Sequence, residues 1–365
     1  MRHTSRRSGS SRGRRGVAVS IASLALLAST ALASCGSSES SASASGDDLE
    51  RVTVQLQLPE NGIFTPFSFG KAKGIYADHG IDLTIEPGVS SQAATDAVAR
   101  GTVDFTTSSF PSVVLNQASG NSIVGLAELI RGGNQGLLAG DDAGIASWKD
   151  LPGKSVIITT GSSQKPLYDA ALAASGVDPK TVKVVNVNQA VINQTFANGG
   201  ADAVLTLFPF SEPIVGQKRK ATALSFSDAG VEMPGFFIVS SDAYVKQNED
   251  LSRRFVDATL ESWAKAYEQP EEAVAAMLAS NPALNKDDAE ATFKAFAEVG
   301  CGVDDNGTWF GDFTGPELDA GLKVLTDSGL VKPDSVDLTQ VFPRGVIDGV
   351  PSGGQRKCSD VGSGS

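Results

Sequence analysis

Histidine is scarce in this sequence of 365 residues, and so are basic residues beyond its amino-terminal segment. The two histidines are His3 and His79. Histidine-rich zinc sites and a Ser-His-Asp hydrolytic triad are therefore excluded unless His79 alone supplies the imidazole. The first 34 residues contain six arginines and no acid, which leaves 24 basic against 42 acidic residues and a net charge of −18. A surface with that charge repels phosphate backbones, so we expect no nucleic-acid binding.

The amino-terminal segment has the order of features that is typical of an export signal. A basic stretch from Arg2 to Arg15 precedes an apolar stretch, residues 17–33, which is too rich in Ala and Ser for a permanent membrane span. It ends in Leu32-Ala33-Ser34-Cys35, which resembles the bacterial lipobox. That resemblance implies a signal peptide over residues 1–34, acylation of Cys35 and a flexible tether over residues 35–49. The alternative is an ordinary cleavage site beside an incidental cysteine, and the choice of the Sec or twin-arginine export route stays open.

Cysteine is also rare, with Cys301 and Cys358 as the only two besides Cys35. There is no Cys-x-x-Cys pair, so thioredoxin-like redox catalysis is not expected. In an exported protein a disulfide between Cys301 and Cys358 is permitted, and it would hold the Gly/Ser-rich tail, residues 351–365, to the body. Paired and unpaired cysteines both remain open at this stage.

Short strands alternate with helices along the next part of the chain, a pattern typical of βαβ units. The predicted strands are residues 52–58, 81–86, 103–107, 123–130, 155–160, 182–187 and 203–208. The predicted helices between them are residues 65–76, 91–99, 111–119, 164–174 and 190–198. After residue 235 long amphipathic helices follow, at residues 249–268, 270–280, 286–298 and 315–328.

The two sets of alternating elements predict two α/β lobes. The Gly-rich residues 131–142 are interpreted as a crossover between them. We therefore expect a first lobe over residues 50–135, a second over residues 136–232, and a return to the first lobe with carboxyl-terminal helices over residues 233–350. One large doubly wound domain with added helices is the alternative.

Several segments, in their order and spacing, resemble one known family over roughly residues 50–270. They are Gln55-Leu56-Gln57, Lys73-Gly74-Ile75-Tyr76, Ala77-Asp78-His79-Gly80-Ile81-Asp82-Leu83, Arg100-Gly101-Thr102-Val103-Asp104-Phe105, Gly200-Ala201-Asp202-Ala203 and Glu212-Pro213. The family is that of the lipoprotein substrate-binding components of ABC importers for sulfonates, nitrate, taurine and thiamine-pyrimidine precursors.

The resemblance implies an α/β, two-lobed periplasmic-binding-protein-like fold (type II) with a hinge between the lobes. It further implies a monomer on the outer face of the bacterial cell membrane, with no metal or cofactor. Such a protein captures a small molecule between its lobes and delivers it to a membrane permease and its ATPase.

Ligands of open α/β sheets bind beyond the carboxyl ends of the strands, which directs attention to the strand-to-helix turns. In the first lobe the candidate ligand-binding residues are Gln57, Asn61, Phe64, Phe67, Thr107, Ser108 and Ser109. In the second lobe they are Gly161, Ser162, Ser163, Phe208 and Glu212. Each has a structural alternative: core packing for Phe67, helix capping for Ser162 and Ser163, and pairing with a lysine for Glu212.

Departures from the family pattern bear on the ligand. Leu58 and Phe64 stand where members that resemble the thiamine-precursor group usually have Trp and His. Ser108 and Ser112 stand where the related eukaryotic enzymes have a cofactor-binding Lys and a His, so the sequence does not favour Schiff-base chemistry.

The aromatic first turn and the acidic mature chain favour a neutral nitrogen-containing ring such as a pyrimidine. An alkanesulfonate, taurine or nitrate anion is the runner-up, and it would be favoured if Arg131 or Lys165 lined the cleft. A lipid-anchored enzyme that acts on such a metabolite is the alternative from another class, and a sensory or adhesive surface protein is a third.

Overall fold

The computed structural model describes residues 49–162, 164–299, 311–313 and 315–343. The sequence predictions for the signal peptide, Cys35, the tether, Ser163, Cys301, Cys358 and the tail at residues 351–365 lie outside these residues. No helix in the described ranges is both long and apolar enough to cross a membrane.

Ten strands form two five-stranded sheets in the described part of the chain. They are β1 (Glu50–Gln55), β2 (Ile81–Glu86), β3 (Phe105–Ser109), β4 (Ile123–Ile130), β5 (Gln135–Gly140), β6 (Ser155–Thr159), β7 (Lys183–Val187), β8 (Ala203–Leu207), β9 (Ala221–Ser225) and β10 (Phe236–Ser241). The first sheet has the order β2-β1-β3-β10-β4, and the second has the order β7-β6-β8-β5-β9.

The two sheets share one topology. In each sheet the first three strands of the order run parallel, and the fourth is antiparallel to both of its neighbours. That antiparallel strand arrives through a crossover in both cases, since β5 follows β4 of the other sheet and β10 follows β9. Two chain segments, residues 131–134 and 226–235, therefore connect the lobes.

Thirteen α-helices are present in the same residues. They are α1 (Thr65–Ala72), α2 (Ile75–Asp78), α3 (Ser91–Ala99), α4 (Phe110–Ala118), α5 (Lys165–Ala174), α6 (Ile192–Ala197), α7 (Phe208–Val215), α8 (Asp242–Gln247), α9 (Glu249–Glu268), α10 (Pro270–Ser280), α11 (Lys286–Val299), α12 (Gly315–Asp327) and α13 (Leu338–Val341). Helices α9 and α10 pack against α1, and α12 contacts both α4 and α5.

Local sequence explains where the helices near the sheet edges begin. Helices α1, α4, α5 and α7 each carry a proline in the first turn, where the ring's fixed φ suits the helix and no hydrogen bond is lost. The Ser90 hydroxyl caps α3 by accepting a hydrogen bond from the Ala93 N–H at 3.2 Å. Of these helices, α4 begins directly after β3 and α7 directly after β8.

The predicted alternation of strands and helices is confirmed, with three corrections. The helix predicted over residues 65–76 is two helices, because Gly74 lies between them with a left-handed φ of 76°. The Gly-rich stretch predicted as a crossover contains β5, whose residues are all buried. The strands β9 and β10 were not predicted from the sequence.

Candidate functional site

A cleft lies between the carboxyl-end edges of the two sheets. The first sheet and its turns contribute Gln57, Leu58, Val89, Ser90, Ser91 and Phe236. The second sheet and its turns contribute Thr159, Gly161, Ser162, Gln164, Gln189, Leu205, Thr206, Leu207 and Phe210. This is the position at which open α/β sheets bind ligands. We call it the interlobe cleft.

Gln57 is the fixed polar group on the first-lobe wall of the interlobe cleft. It is 1% exposed, and its backbone N–H donates to the Thr107 hydroxyl at 3.2 Å. Its side-chain oxygen accepts a hydrogen bond from Ser91 Oγ at 2.9 Å. The backbone N–H and the side-chain oxygen are thus held by partners from two different elements, which leaves Nε2 as the remaining side-chain donor.

The second-lobe wall is built from the turns after β6 and β7. Thr159 Oγ1 donates to Gln189 Oε1 at 2.9 Å, and the Gln164 side-chain amide donates to Gln135 Oε1 at 3.2 Å. The Ser162 hydroxyl accepts from the Gln164 backbone N–H at 3.3 Å, a local contact that fixes the turn before α5. The polar part of this wall therefore consists of hydroxyl and amide groups that are held by hydrogen bonds within the second lobe.

The two walls approach each other at Gly161. A Cβ atom added there would lie 3.9 Å from the Ser90 hydroxyl oxygen of the first lobe. Gly161 also has a φ of 74°, which a residue with a side chain adopts only with strain. The tight turn thus brings the second lobe close to the amino-terminal end of α3.

No Lys, Arg, Asp or Glu side chain is among the described residues that line the interlobe cleft. Arg131 pairs with Glu317 at 3.5 Å and donates to the Asp312 carbonyl at 3.0 Å. Lys165 pairs with Asp169 at 2.5 Å. The two cations that the sequence suggested for an anionic ligand therefore have acidic partners outside the cleft lining.

The structure brings three of the predicted ligand-binding residues, Gln57, Gly161 and Ser162, into the interlobe cleft. Asn61 instead lines a neighbouring groove and caps a short 3₁₀ helix, accepting from the Ile63 N–H at 3.0 Å. Phe208 is partly buried against the second-lobe core, outside the lining. Glu212 lies on α7, also outside the lining, and desolvation raises the pKa of its carboxyl group.

Five further predicted residues lie behind the interlobe cleft rather than in it. Phe64 and Phe67 are buried in the first-lobe core, where the Phe67 ring meets the Trp263 ring edge-on at 4.6 Å. The hydroxyl run predicted as a turn, Thr107, Ser108 and Ser109, is part of buried strand β3. Its polar groups are satisfied internally, for example by a contact of 2.6 Å between Ser108 Oγ and Thr95 Oγ1.

Most of the lining was missed by the sequence interpretation, although a signal for part of it exists. Ser90 and Ser91 follow a predicted strand and open a predicted helix, and Gln189 follows the strand predicted over residues 182–187. The rule that identified Gly161 and Ser162 also covers these positions. No comparable signal exists for Phe236, because β10 enters the sheet antiparallel and presents its first residue at that edge.

The described residues hold no group of three or more His, Cys, Asp or Glu side chains arranged to bind a metal ion. With neutral lining groups only, the interlobe cleft offers hydrogen-bond donors, acceptors and apolar surface. That combination suits reversible binding of an uncharged, partly apolar molecule.

The model of the family described as NMT1/THI5 like matches residues 61–273. The chain is 27% identical over 240 residues, 64% of this chain and 75% of the relative, to 4-amino-5-hydroxymethyl-2-methylpyrimidine phosphate synthase of Legionella pneumophila. It is 25% identical over 279 residues, 75% of this chain and 81% of the relative, to the formylaminopyrimidine-binding protein of Halalkalibacterium halodurans.

Two solved structures share its fold. One is the alkanesulfonate-binding protein SsuA from Xanthomonas axonopodis pv. citri bound to MOPS, with a TM-score of 0.62, 15% identity, and coverage of 80% of this chain and 97% of that one. The other is the periplasmic nitrate-binding protein NrtA from Synechocystis, with a TM-score of 0.62, 16% identity, and coverage of 87% and 92%. The predicted fold, that of type II periplasmic binding proteins, is confirmed.

Proposed function

The chain belongs to the NMT1/THI5-like family, and we propose that it is the solute-binding component of an ABC importer. It captures a small, neutral, nitrogen-containing ring between its lobes and delivers it to a membrane permease. The observation that carries this proposal is the lining of the interlobe cleft, which combines amides, hydroxyls and the rings of Phe210 and Phe236 without a charged group. Aromatic surfaces and fixed amides suit a flat ring with polar edges.

The lining also weighs against an alkanesulfonate, taurine or nitrate ligand. A buried anion needs a cationic partner or several charge-assisted hydrogen bonds to offset its desolvation. Arg131 and Lys165, the candidates for that role, are paired with Glu317 and Asp169 and do not line the cleft. A neutral ligand needs no such partner.

A binding role is favoured over an enzymatic one, although one relative is named as a synthase. The described lining contains no Cys, Lys or His side chain that would act as a nucleophile, and no Asp or Glu that would act as an acid or base. Ser108 and Ser112, which replace the enzyme-type Lys and His, are buried behind the cleft wall.

We further propose that the chain is exported and held at the outer face of the cell membrane by acylated Cys35, as its amino-terminal sequence predicts. The lobes would correspond to residues 50–135 with 233–350, and to residues 136–232. Rotation about the two crossovers then opens and closes the interlobe cleft, and ligand stabilises the closed form because each wall supplies part of its contacts.

A thermal-shift screen of the full chain in detergent tests the proposal. The panel contains aminopyrimidines, flavins, alkanesulfonates, taurine and nitrate. A ligand at about a hundred times its Kd stabilises the folded state by about 2.7 kcal/mol, which raises the unfolding midpoint measurably. We expect a shift with a ring compound that is recovered unchanged. No shift with any compound, or recovery of an altered one, would contradict a receptor role.

The variant Lys165→Gln tests whether the ligand binds without a cationic side chain of the protein. We expect the Kd of the ring ligand to change by less than about twofold, because Lys165 does not line the cleft, is paired with Asp169 one turn along α5, and exposed pairs contribute little. The neighbouring variant Gln164→Leu is the matched control. It removes an amide that lines the interlobe cleft, so it should weaken binding about three- to tenfold in calorimetry. A tenfold loss for Lys165→Gln would point to an anionic ligand.

A further inference from the structure

A chain of hydrogen bonds leads from the interlobe cleft into the second lobe and begins at Thr206. The Thr206 and Ser211 hydroxyl oxygens are 2.6 Å apart, and Ser211 Oγ lies 2.6 Å from Asn193 Oδ1. The Asn193 side-chain nitrogen donates to the Phe210 carbonyl at 3.2 Å. Thr206 and Ser211 are 3% and 0% exposed, so no bulk water competes for these contacts.

The direction of every hydrogen bond in this chain is fixed at its far end. A backbone carbonyl only accepts, so the Asn193 NH₂ group faces Phe210 and its Oδ1 faces Ser211. Ser211 must therefore donate its single proton to Asn193. It has only lone pairs left for Thr206, and Thr206 must donate in turn.

The proton of Thr206 has one other acceptor within reach, the Leu207 carbonyl at 3.4 Å. Donation there would leave two hydroxyl oxygens facing each other at 2.6 Å without a proton between them, which is strongly unfavourable. In either arrangement the proton is taken by an acceptor within the second lobe. Because Thr206 is among the residues that line the interlobe cleft, its hydroxyl can only accept a hydrogen bond from a ligand there.

Two other hydroxyls of the lining have their protons engaged in the same way. Ser91 donates to Gln57 Oε1 at 2.9 Å, and Thr159 donates to Gln189 Oε1 at 2.9 Å. Ser91 belongs to the first-lobe wall and Thr159 to the second, so both walls contain acceptors of this type.

We propose that Thr206 is an obligate hydrogen-bond acceptor that selects solutes with an N–H group at the ring edge facing it. The inference rests on the proposed function and narrows its substrate class to amino-substituted, donor-bearing rings. A ring with only an acceptor at that edge would meet the lone pairs of Thr206 and lose affinity, because a buried polar group without a partner is costly.

Two matched probes test the proposal on the full chain: 4-amino-2-methylpyrimidine and 4-methoxy-2-methylpyrimidine. They differ at one ring substituent, which is a donor in the first and an acceptor in the second. We expect calorimetry to show the amino compound binding at least about tenfold more tightly. Equal binding would overturn the inference while leaving the receptor function intact. Binding of neither probe would overturn the ring-receptor function and the inference with it.

Two variants separate hydrogen-bond direction from a general structural role. Thr206→Val removes the acceptor, and the preference for the amino probe should fall to about one. Ser211→Ala keeps Thr206 but frees its proton, so the methoxy probe should gain about tenfold while the amino probe keeps its affinity. Thr222→Val, at an exposed position of edge strand β9, is the control and should retain the wild-type preference. If both test variants weaken the two probes alike and leave the preference unchanged, the proposal is wrong.

Discussion

Replacing Phe67 with alanine is expected to lower the free energy of unfolding by about 3–5 kcal/mol, the usual cost of emptying a buried phenylalanine site. Phe67 is 1% exposed, and its ring meets Trp263 edge-on at 4.6 Å in the first-lobe core. The tightly packed neighbours, among them Phe64, leave little freedom for collapse into the cavity. Urea denaturation followed by tryptophan fluorescence measures the change. Ligand affinity of the remaining folded protein should stay within about threefold of wild type.

Phe210→Ala is the matched comparison, because its ring is half-buried and lines the interlobe cleft. Here we expect the reverse: a small loss of stability, and binding weakened about tenfold by the loss of aromatic contact with the ligand. The pair distinguishes two interpretations of the aromatic residues. If Phe67→Ala abolished binding at unchanged stability, the first-turn aromatics would hold the ligand after all.

The second large effect is expected where the two crossovers touch. A Cβ atom on Gly132 would lie 1.8 Å from the Met233 carbonyl oxygen, and one on Gly235 would lie 1.8 Å from the Ile130 carbonyl oxygen. The crossovers therefore approach backbone to backbone, through a glycine on each. We call this contact the hinge glycine pair.

Gly235→Ala forces these crossovers apart. We expect the free energy of unfolding to fall by about 1–3 kcal/mol, as for other overpacked sites. Because the same segments set how the lobes meet, ligand affinity should also fall, by about tenfold or more. Gly315→Ala is the control, since that glycine has nothing within 4 Å of an added Cβ and should be close to neutral. Denaturation and calorimetry on both variants measure the effects. A neutral Gly235→Ala would show that the crossovers separate without cost.

Much of the fold was predictable because hydrophobic periodicity and helix signals agree along the chain. The strand Ile81–Glu86, the helix Ser91–Ala99 and the long helix Glu249–Glu268 begin and end at the predicted residues. β5 was not predicted, because its glycines suggest a loop. β8 and β9 pair with β5 on either side, so its backbone hydrogen bonds to two neighbouring strands favour a strand despite the glycines. Such pairing between distant segments is not visible in local composition.

The sequence predicted a site at the carboxyl ends of the strands, but it predicted few of the residues that line the interlobe cleft. Position after a strand identified Gln57, Gly161 and Ser162, because the carboxyl ends of parallel strands meet at one edge. Phe67 and Ser108, which were selected by chemical type, are buried and do not line the interlobe cleft, since aromatic and hydroxyl groups also occur in cores. Whether such a residue faces a cleft depends on the packing of later helices, here Trp263 on α9. Phe67 and Trp263 are almost two hundred residues apart in the chain, so the local sequence does not show their contact.

The position of β10 determines an order of assembly. β3 and β4 do not pair with each other, because β10 lies between them, whereas every strand of the second sheet is contained in residues 135–225. During synthesis the amino terminus emerges first. All five strands of the second sheet are therefore available to pair before β10 can join the first sheet. Until then β3 and β4 have open edges that would pair with other chains. A chain truncated before residue 236 should therefore aggregate through its first lobe.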